Sequence, residues 1–388
     1  MSIFDVVPIT VDDYERRARW RLPRFLYDYA AGGANNEETL SANQSDFAQI
    51  TLRQRVMRDV SEVSTATTLL GQQAAMPIAL APVGMAGMYA RRGEVQAAKA
   101  AEAVGIPFTG STMGVCSIDE INAATTSPNW FQLYMLRDRE FVQEMLQRAW
   151  NSGTRTLVFT VDLAVPGARL RDFRNGMIGG GWLGKASQLA QLATSPGWAW
   201  DVGINGKPHF LGNLSGRVAD AKDLNSYRDF VESQFDPTVT WDDIRWLRDQ
   251  WQGKLLIKGV LEADDARAAI DCGAEGVVVS NHGGRQLDAV ASGIRKLPEV
   301  VKALDGDGEA YIDGGVRNGI DVVRAVALGA QGVLMGRPWL YALAVHGEAG
   351  VRNLLGVFQR EIAIALALTG VNSMGELNED AIDRQPLA

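Results

Sequence analysis

The chain has 388 residues, of which 46% are hydrophobic and 22% charged, and this composition supplies a folded core and excludes a disordered or collagen-like chain. The formal net charge is −8 without a block of Lys or Arg, so we expect no nucleic-acid partner. The two cysteines, Cys116 and Cys272, are too few for a disulfide framework and favour a reducing compartment. No run approaches 18 apolar residues and the first twenty residues lack an apolar leader, so we expect neither a spanning helix nor a secretory signal.

Short apolar runs recur along the chain and predict eight β-strands. Continuous apolar runs, rather than alternating ones, are typical of strands that are covered on both faces. The predicted strands comprise residues 77–82, 107–112, 130–135, 156–162, 255–259, 276–282, 310–315 and 332–336.

Helical patterns lie between several of these runs, and each ends at a glycine, which is a common stop signal. The predicted helices are 94–104, 138–151, 264–272 and 319–328. Strands that alternate with helices eight times predict an α/β protein with a (β/α)8 TIM barrel. The alternative is a doubly wound open sheet, which should carry G-x-G-x-x-G after its first strand, and the sequence PVGMAG at 82–87 lacks that form.

We expect one domain over residues 1–388, with an N-terminal helical and loop segment at 1–76 and an insertion at 163–240, after the fourth strand. Within the insertion, residues 176–208 contain only three charged residues. Apolar side chains recur there at steps of three and four residues and predict a short amphipathic helix; they are Trp182, Leu183, Ala186, Leu189, Ala190 and Ala193. We interpret 176–208 as a segment that docks on a membrane surface, with an active-site lid or a subunit contact as the alternatives.

Polar residues follow the predicted strands at the ends where a TIM barrel collects its catalytic groups. They include Ser111, Gln132, Tyr134, Thr160, Asp162, Lys258, Ser280 and His282. The last two strands end in Asp313–Arg317 (DGGVR) and Gly336-Arg337, which predict a phosphate site built from backbone N–H groups and arginine. The alternative is that these glycines simply make tight turns.

Among the three histidines, only His282 lies at a strand end. Arg285 follows three residues later, and Asp162 lies two strands away, so these residues supply a base, an anion anchor and a carboxylate that orients the base. No spacing of His, Cys, Asp and Glu matches a zinc site, and we expect no metal.

Residues 280–288 (SNHGGRQLD) resemble the active-site signature of the FMN-dependent α-hydroxy acid oxidase and dehydrogenase family. Further segments match this family in order along nearly the whole chain: Leu22-Pro23, Tyr27–Gly33, Ala81-Pro82, Phe131–Tyr134, Thr160–Asp162, Ile257–Gly259, Asp313–Arg317 and Gly336–Pro338. Residues 88–99 and 198–203 resemble in particular the bacterial respiratory L-lactate dehydrogenases within it.

The resemblance implies that FMN lies across the strand ends. Its ring and ribityl chain would contact Ser111, Gln132, Thr160, Lys258 and Ser280. Its ribityl chain and phosphate would be surrounded by Asp313, Gly315, Arg317, Gly336 and Arg337. Lys258 would place a positive charge where the reduced flavin is negative.

The resemblance also implies roles around the substrate. Arg285 and Arg169 would bind its carboxylate, because a guanidinium bonds a carboxylate bidentately. His282 would take a proton and Asp162 would stabilise the resulting imidazolium. The remaining implied residues are Tyr29 and Tyr134, which would offer hydroxyls to the substrate as part of the catalytic set, and Gly84 and Met113, which would set the pocket size.

The implied function is FMN-dependent oxidation of an L-2-hydroxy acid, first of all L-lactate to pyruvate, with electrons passed to quinone or another acceptor. The alternatives are an L-mandelate-type dehydrogenase, an oxidase that uses O2, a phosphate-binding barrel without catalysis and a metal-dependent aldolase-like barrel. We also expect a homotetramer in peripheral contact with the cytoplasmic side of the inner membrane, or otherwise in the cytoplasm.

Overall fold

The computed structural model describes residues 7–177, 181–207, 209–215 and 234–383. Within them the strands β1 to β12 are, in chain order, Thr51–Leu52, Thr67–Leu69, Gln72–Ala74, Ile78–Leu80, Thr109–Ser111, Trp130–Leu133, Thr156–Thr160, Lys254–Val260, Gly276–Val279, Glu309–Asp313, Gly332–Met335 and Ile382–Asp383.

Strands β4 to β11 form one parallel sheet in the order β4-β11-β10-β9-β8-β7-β6-β5. A parallel bridge between Leu80 and Phe108 joins the two remaining edges, so the sheet closes on itself. The predicted TIM barrel is therefore confirmed, and the open doubly wound sheet is excluded.

The α-helices α1 to α14 of the described residues are, in chain order, Val11–Arg21, Arg24–Ala31, Glu38–Ala48, Gly93–Val104, Ile118–Ala123, Arg139–Asn151, Leu170–Arg174, Gly181–Ala193, Pro196–Trp198, Trp241–Gln250, Ala263–Asp271, Gly293–Leu304, Gly319–Ala327 and Arg337–Thr369. The four predicted helices are present within one residue at each end. The pattern missed α5, which is only six residues long, and α12, because Pro298 inside it reads as a helix breaker. It also missed α10 and α14.

The barrel interior is filled in layers, because every second residue of each strand points inward. The lower layer is apolar and is sealed by the β2–β3 hairpin; it includes Leu69, Trp130, Val158, Leu256, Val278, Tyr311 and Leu334. Two residues further along their strands, the same inward alternation brings polar side chains to the upper end: Gln132, Thr160, Lys258, Ser280 and Asp313. The period of two thus places the polar residues above the core.

The N-terminal segment contains three helices and also the strands β1 to β3, which the sequence did not predict. The predicted insertion contains α7, α8, α9 and a π-helix at Ala199–Ile204, while its residues 178–180, 208 and 216–233 lie outside the described residues. Helix α10 begins at Trp241 and leads back into the barrel. The proposed domain boundaries stay a prediction.

Candidate active site

A cavity of about 1300 Å³ lies at the carboxyl ends of the barrel strands. Its wall includes all of the predicted site residues except Gln132, Asp162 and Ser280, which lie just behind it. This volume exceeds the roughly 300–1000 Å³ of a typical small-molecule pocket, so a cofactor and a substrate fit side by side.

His282 and Asp162 form a hydrogen-bonded pair in which the imidazole Nδ1 lies 2.8 Å from the carboxylate Oδ1. Because the carboxylate accepts, Nδ1 carries the proton and Nε2 is left as the basic nitrogen. Burial lowers the pKa of His282, and the negative charge of Asp162 offsets only part of this effect. The imidazole is therefore neutral at neutral pH and ready to accept a proton.

Asp162 is held as the carboxylate. Burial alone would raise its pKa, but His282, the hydrogen bond between them and the nearby ammonium of Lys258 hold the pKa below its usual value. Its second oxygen, Oδ2, is buried and has no hydrogen-bond partner within the described part of the chain. The pair thus has a fixed negative charge behind the base, which favours an imidazolium when a proton arrives.

The loop that carries His282 has an unusual backbone, since residues 282, 283 and 284 all have positive φ angles. A Cβ at Gly283 would lie 2.8 Å from Arg337 Nη1, and one at Gly284 would lie 2.7 Å from the backbone of Leu40, so only glycine fits at either position. His282 adopts φ +56° without being glycine. This local strain is typical of residues whose orientation matters for function.

Ser280 supports the loop from behind the wall. Its Oγ accepts one hydrogen bond from the His282 backbone N–H at 3.0 Å and another from Lys258 Nζ at 3.0 Å. The side chains of Asn281 and Asn43 exchange two further hydrogen bonds, each 2.8 Å long. Ser280, which the resemblance assigns to FMN, therefore contacts Lys258 on β8 and His282 in its own loop in this structure.

Lys258 is buried on β8, and its Nζ lies 2.7 Å from Asp313 Oδ2. Burial would lower the pKa of this ammonium, but Asp313 and Asp162 outweigh burial and raise it. Lys258 therefore keeps its charge inside the barrel. A surface position for this residue is excluded.

Two guanidinium groups face the same part of the cavity. Arg285 lies with its central carbon 4.8 Å from the ring centre of Tyr29, and Arg169 lies 5.8 Å from the same ring. Arg285 also donates hydrogen bonds to the carbonyl oxygens of Tyr29 and Gly32, which fix its direction. The Nε of Arg169 is buried without a partner among the described residues. This arrangement fits an incoming carboxylate.

The sequence did not single out Asp172, yet this residue lines the cavity and is only 2% exposed. Burial raises the pKa of its carboxyl, although Arg285 and Arg169 oppose the change. Its Oδ2 has no hydrogen-bond partner in the described ranges. The only sequence signal was its position three residues after Arg169, on the same turn of α7.

Tyr134, Gly84 and Met113 complete the substrate side. Burial raises the pKa of Tyr134, so its hydroxyl stays protonated and can donate a hydrogen bond. A Cβ at Gly84 would lie 3.2 Å from the Cβ of Met113. The two residues expected to set the pocket size therefore face each other.

The upper end of the barrel fits a flavin. Gln132 Nε2, Thr160 Oγ1 and Asp313 Oδ1 are buried polar atoms without hydrogen-bond partners in the part of the chain that the structure describes. Buried polar groups are normally paired, so these atoms fit a bound molecule with donors and acceptors along its length. A ribityl chain and a flavin ring edge have that character.

The part of the cavity around Arg337 and Arg317 also fits the phosphate of FMN. Arg337 is enclosed, and its guanidinium donates to the carbonyl oxygens of Ala30, Gly32 and Gly283. Burial lowers its pKa to about 10, which leaves it charged at neutral pH, and no carboxylate of the described residues lies within salt-bridge distance. A half-buried cation beside Arg317, hydrogen-bonded only to carbonyl oxygens among the described residues, favours an anion. Gly315 packs tightly under Asn43 as well, so the alternative of a tight turn accounts for that glycine too.

These features define a barrel that holds a flavin phosphate beside a basic, carboxylate-binding pocket, and the sequence profile of the family described as FMN-dependent dehydrogenase matches residues 18–384. The chain therefore belongs to the FMN-dependent dehydrogenase family. It is an oxidoreductase whose cofactor is FMN.

The similarity extends to individual proteins of this family. The chain is 53% identical over 376 residues to an L-lactate dehydrogenase of Caulobacter sp. (strain K31), with 97% of each chain covered. It is 52% identical over 373 residues to an L-lactate dehydrogenase of Pseudomonas putida (strain GB-1), with 96% of this chain and 97% of the relative covered. The resemblance to this group is thus confirmed.

A solved structure of the monotopic membrane protein (S)-mandelate dehydrogenase superposes with a TM-score of 0.91 at 36% identity, over 97% of this chain and all of that one. A mandelate oxidase structure with (S)-4-hydroxymandelic acid superposes with a TM-score of 0.84, also at 36% identity, over 97% of this chain and 98% of that one.

Within the described residues, no three His, Cys, Asp or Glu side chains are grouped so as to hold a metal ion. In the same residues, no helix is both long enough and apolar enough to cross a bilayer.

Proposed function

We propose that the protein oxidises L-lactate to pyruvate. The observation that carries the proposal is the placement of His282, hydrogen-bonded to Asp162, in the cavity wall that also holds Arg285 and Arg169. A base and a carboxylate anchor are what a small 2-hydroxy acid requires. The 53% identity to a curated L-lactate dehydrogenase supports lactate as the particular acid.

Bound FMN supplies a two-electron acceptor for this oxidation. The side chains of the protein bind and orient the substrate, accept its proton and stabilise the charge that develops. Arg285 and Arg169 bind and orient the substrate carboxylate, and Tyr29 and Tyr134 direct hydroxyls toward it. His282 Nε2 accepts a proton from the substrate, and Asp162 stabilises the imidazolium. Lys258 holds a positive charge near the upper end of the barrel, where it stabilises developing negative charge.

The proposal is tested by anaerobic spectroscopy of the FMN-loaded protein. L-lactate should bleach the flavin absorption, whereas D-lactate should leave it unchanged, because inversion at the chiral carbon moves the hydroxyl away from His282. Mixing the reduced protein with air or with a quinone analogue then ranks the acceptors. A flavin that L-lactate does not reduce refutes the assignment.

A larger L-2-hydroxy acid such as mandelate is the second candidate, and the pocket favours it at one position. Gly84 has no side chain, and a Cβ there would lie only 3.2 Å from the Cβ of Met113, so the pocket is widest with glycine at this position. If Gly84 only widens the pocket, Gly84→Ala should lower kcat/KM for (S)-mandelate far more than for L-lactate. Equal rates of flavin reduction by both acids in the unaltered protein would favour the broader substrate class.

We also propose that the protein docks peripherally on a membrane through α8, on the cytoplasmic side. Gln188 and Gln191 point toward the protein, where their side chains donate to the carbonyl oxygens of Gly176 and Asn175. Trp182, Leu183 and Leu189 point to solvent and are between 62% and 76% exposed. This helix presents its apolar face outward, the reverse of an ordinary surface helix.

The similarity to the monotopic mandelate dehydrogenase supports this reading. A lid and a contact between subunits remain the competing roles of the exposed face. Pelleting with liposomes tests the membrane role directly, and protein that stays in the supernatant refutes it. The homotetramer is a further proposal, which sedimentation velocity at micromolar concentration tests; a monomer contradicts it.

A further inference from the structure

Two loops form the cavity wall on the side of Gly84 and Met113. The first comprises residues 83–88, after β4, and we call it the Gly84 loop; the second comprises residues 112–116, after β5, and we call it the Met113 loop. Gly84, Met85 and Met113 line the cavity. The Met85 backbone N–H donates to the Met113 carbonyl oxygen at 2.8 Å, so the two loops are in direct contact there.

A buried carboxyl group lies behind this contact. Glu94 is the second residue of α4 and is 1% exposed, and it does not line the cavity itself. Its Oε1 accepts a hydrogen bond from the Val115 backbone N–H in the Met113 loop at 2.8 Å. Its Oε2 is close to the Gly84 loop, since a Cβ at Gly87 would lie 3.0 Å from that atom. One side chain therefore contacts both loops from behind.

The packing around this carboxyl leaves little space for the loops to shift. A Cβ at Gly87 would lie 2.6 Å from the Cβ of Val115. A Cβ at Gly93, the first residue of α4, would lie 2.4 Å from the Ala86 carbonyl oxygen. Helix α4 thus begins in direct contact with the Gly84 loop, and the length of the Glu94 side chain spans the distance from this helix to the Met113 loop.

A carboxyl at this position is costly. Its Oε2 is buried without a hydrogen-bond partner among the described residues, and burial of such an unpaired group costs about 1–3 kcal/mol. Burial and the nearby Glu94 raise the pKa of the Cys116 thiol, so Cys116 stays neutral and offers no compensating charge. Well-packed apolar residues often serve stability as well as buried charged groups do. Exceptions of this kind are typical of functional sites.

We propose that Glu94 is a positioning residue that sets the selectivity for substrate size. Its carboxyl holds the Met113 loop against the Gly84 loop and thereby fixes the position of Met113 in the substrate pocket. The inference rests on the proposed function, because it concerns the same pocket. A shorter side chain does not reach the Val115 N–H, whereas an amide oxygen at the same distance accepts the same hydrogen bond. Without that bond, the Met113 loop relaxes and the pocket admits larger acids more readily.

The test compares Glu94→Asp with Glu94→Gln in the FMN-loaded protein, through the second-order rate constants of anaerobic flavin reduction by L-lactate and by (S)-mandelate. Glu94→Asp should lower the lactate-to-mandelate ratio at least about tenfold, which is the effect of about one methylene group in a pocket. Glu94→Gln should keep the ratio within about threefold. Glu102→Asp is the matched control, since Glu102 lies on the same helix and also accepts backbone hydrogen bonds, from Thr126 and Ser127, but away from the cavity.

A binding measurement removes the dependence on turnover. Propionate and phenylacetate lack the reacting hydroxyl, and titration of the flavin spectrum gives their dissociation constants. Glu94→Asp should lower the phenylacetate-to-propionate ratio of these constants at least about threefold, and Glu94→Gln and Glu102→Asp should not.

Unchanged ratios in Glu94→Asp, an equal change in Glu94→Gln or Glu102→Asp, or loss of FMN from Glu94→Asp would each overturn the proposal. Failure of L-lactate to reduce the unaltered protein would instead refute the proposed function, and the binding ratios would still report on Glu94.

Discussion

The upper end of the barrel and helix α8 distribute polarity in opposite ways. In the barrel, buried polar atoms of Gln132, Thr160 and Asp313 point inward without partners among the described residues. In α8, the side chains of Gln188 and Gln191 donate hydrogen bonds to backbone carbonyl oxygens of the protein, while Trp182 and Leu189 face outward. Each arrangement is costly in isolation, because unpaired buried polar atoms and exposed apolar side chains are both unfavourable in water. Both become favourable with a partner, a polar flavin in one region and an apolar surface in the other.

On the barrel side, His282→Gln should have the largest effect. Removal of the general base should lower the rate of flavin reduction by L-lactate by at least about three orders of magnitude. Flavin content should persist, because the atoms that fit the cofactor lie on other strands. Stopped-flow absorbance measures the rate and the flavin spectrum measures the content. Near-normal turnover in this variant would remove His282 from the mechanism.

The substrate anchor is expected to have the next largest effect. Arg285→Lys and Arg169→Lys each keep a positive charge but lose the planar fork. We expect each to cost about 2–4 kcal/mol of substrate binding, a loss of roughly 30- to 1000-fold in kcat/KM that appears mainly in KM. Steady-state kinetics measure it, and the flavin spectrum serves as the control. If neither substitution changes KM, the carboxylate is bound elsewhere.

On the α8 side, the double substitution Trp182→Gln and Leu189→Gln should weaken liposome binding at least about tenfold, because two large apolar side chains no longer enter the lipid. Flavin reduction by L-lactate should not change. Met57→Gln is a suitable control, since Met57 is fully exposed and lies two residues after Arg55, whose backbone N–H donates to the Leu368 carbonyl near the end of α14. Loss of lactate turnover in the α8 variant would instead favour the lid.

Asp172 offers a smaller and more diagnostic test, because it places a carboxyl beside two guanidinium groups. Asp172→Asn should bind oxalate, an inert dianion, up to about tenfold more tightly, since a negative charge that competes with the ligand is removed. Titration of the flavin spectrum with oxalate measures the dissociation constant. An unchanged or weaker affinity would mean that Asp172 is neutral or purely structural.

The pH dependence should show the smallest effect. Since burial lowers the pKa of His282 and only the neutral imidazole accepts a proton, kcat/KM should fall as the pH drops through a pKa below 6.5. Lys258 and Arg169 keep it low, whereas Asp162 raises it. Asp162→Asn should therefore shift the acid limb to still lower pH, besides slowing the reaction. An acid limb above pH 6.5 in the unaltered protein would contradict a neutral base.

Much of the barrel could be predicted from local signals. Apolar runs located the strands, and glycines such as Gly105 and Gly329, both in left-handed conformations, located helix ends. His282 and Asp162 could be predicted because both follow strands whose carboxyl ends lie at the same end of the barrel. Asp172 could not be predicted, because its role depends on the fold, which brings its carboxyl near Arg285 and Arg169. The hydrogen bond between Ser280 and Lys258 was equally out of reach, since contacts between neighbouring strands have no local pattern.

The pairing of Asn43 with Asn281 links residues 238 positions apart. Asp288, from the same loop, accepts hydrogen bonds from the backbone N–H groups of Asn36 and Thr39 at the start of α3. Residues 36–43 leave the ribosome early, and they therefore remain without the loop at 281–288 until most of the chain has been made. Contacts of such long range form slowly, because a large loop must close first. The catalytic loop is thus completed late in folding, and a truncated chain that lacks α3 would leave Asn281 and Asp288 without these partners.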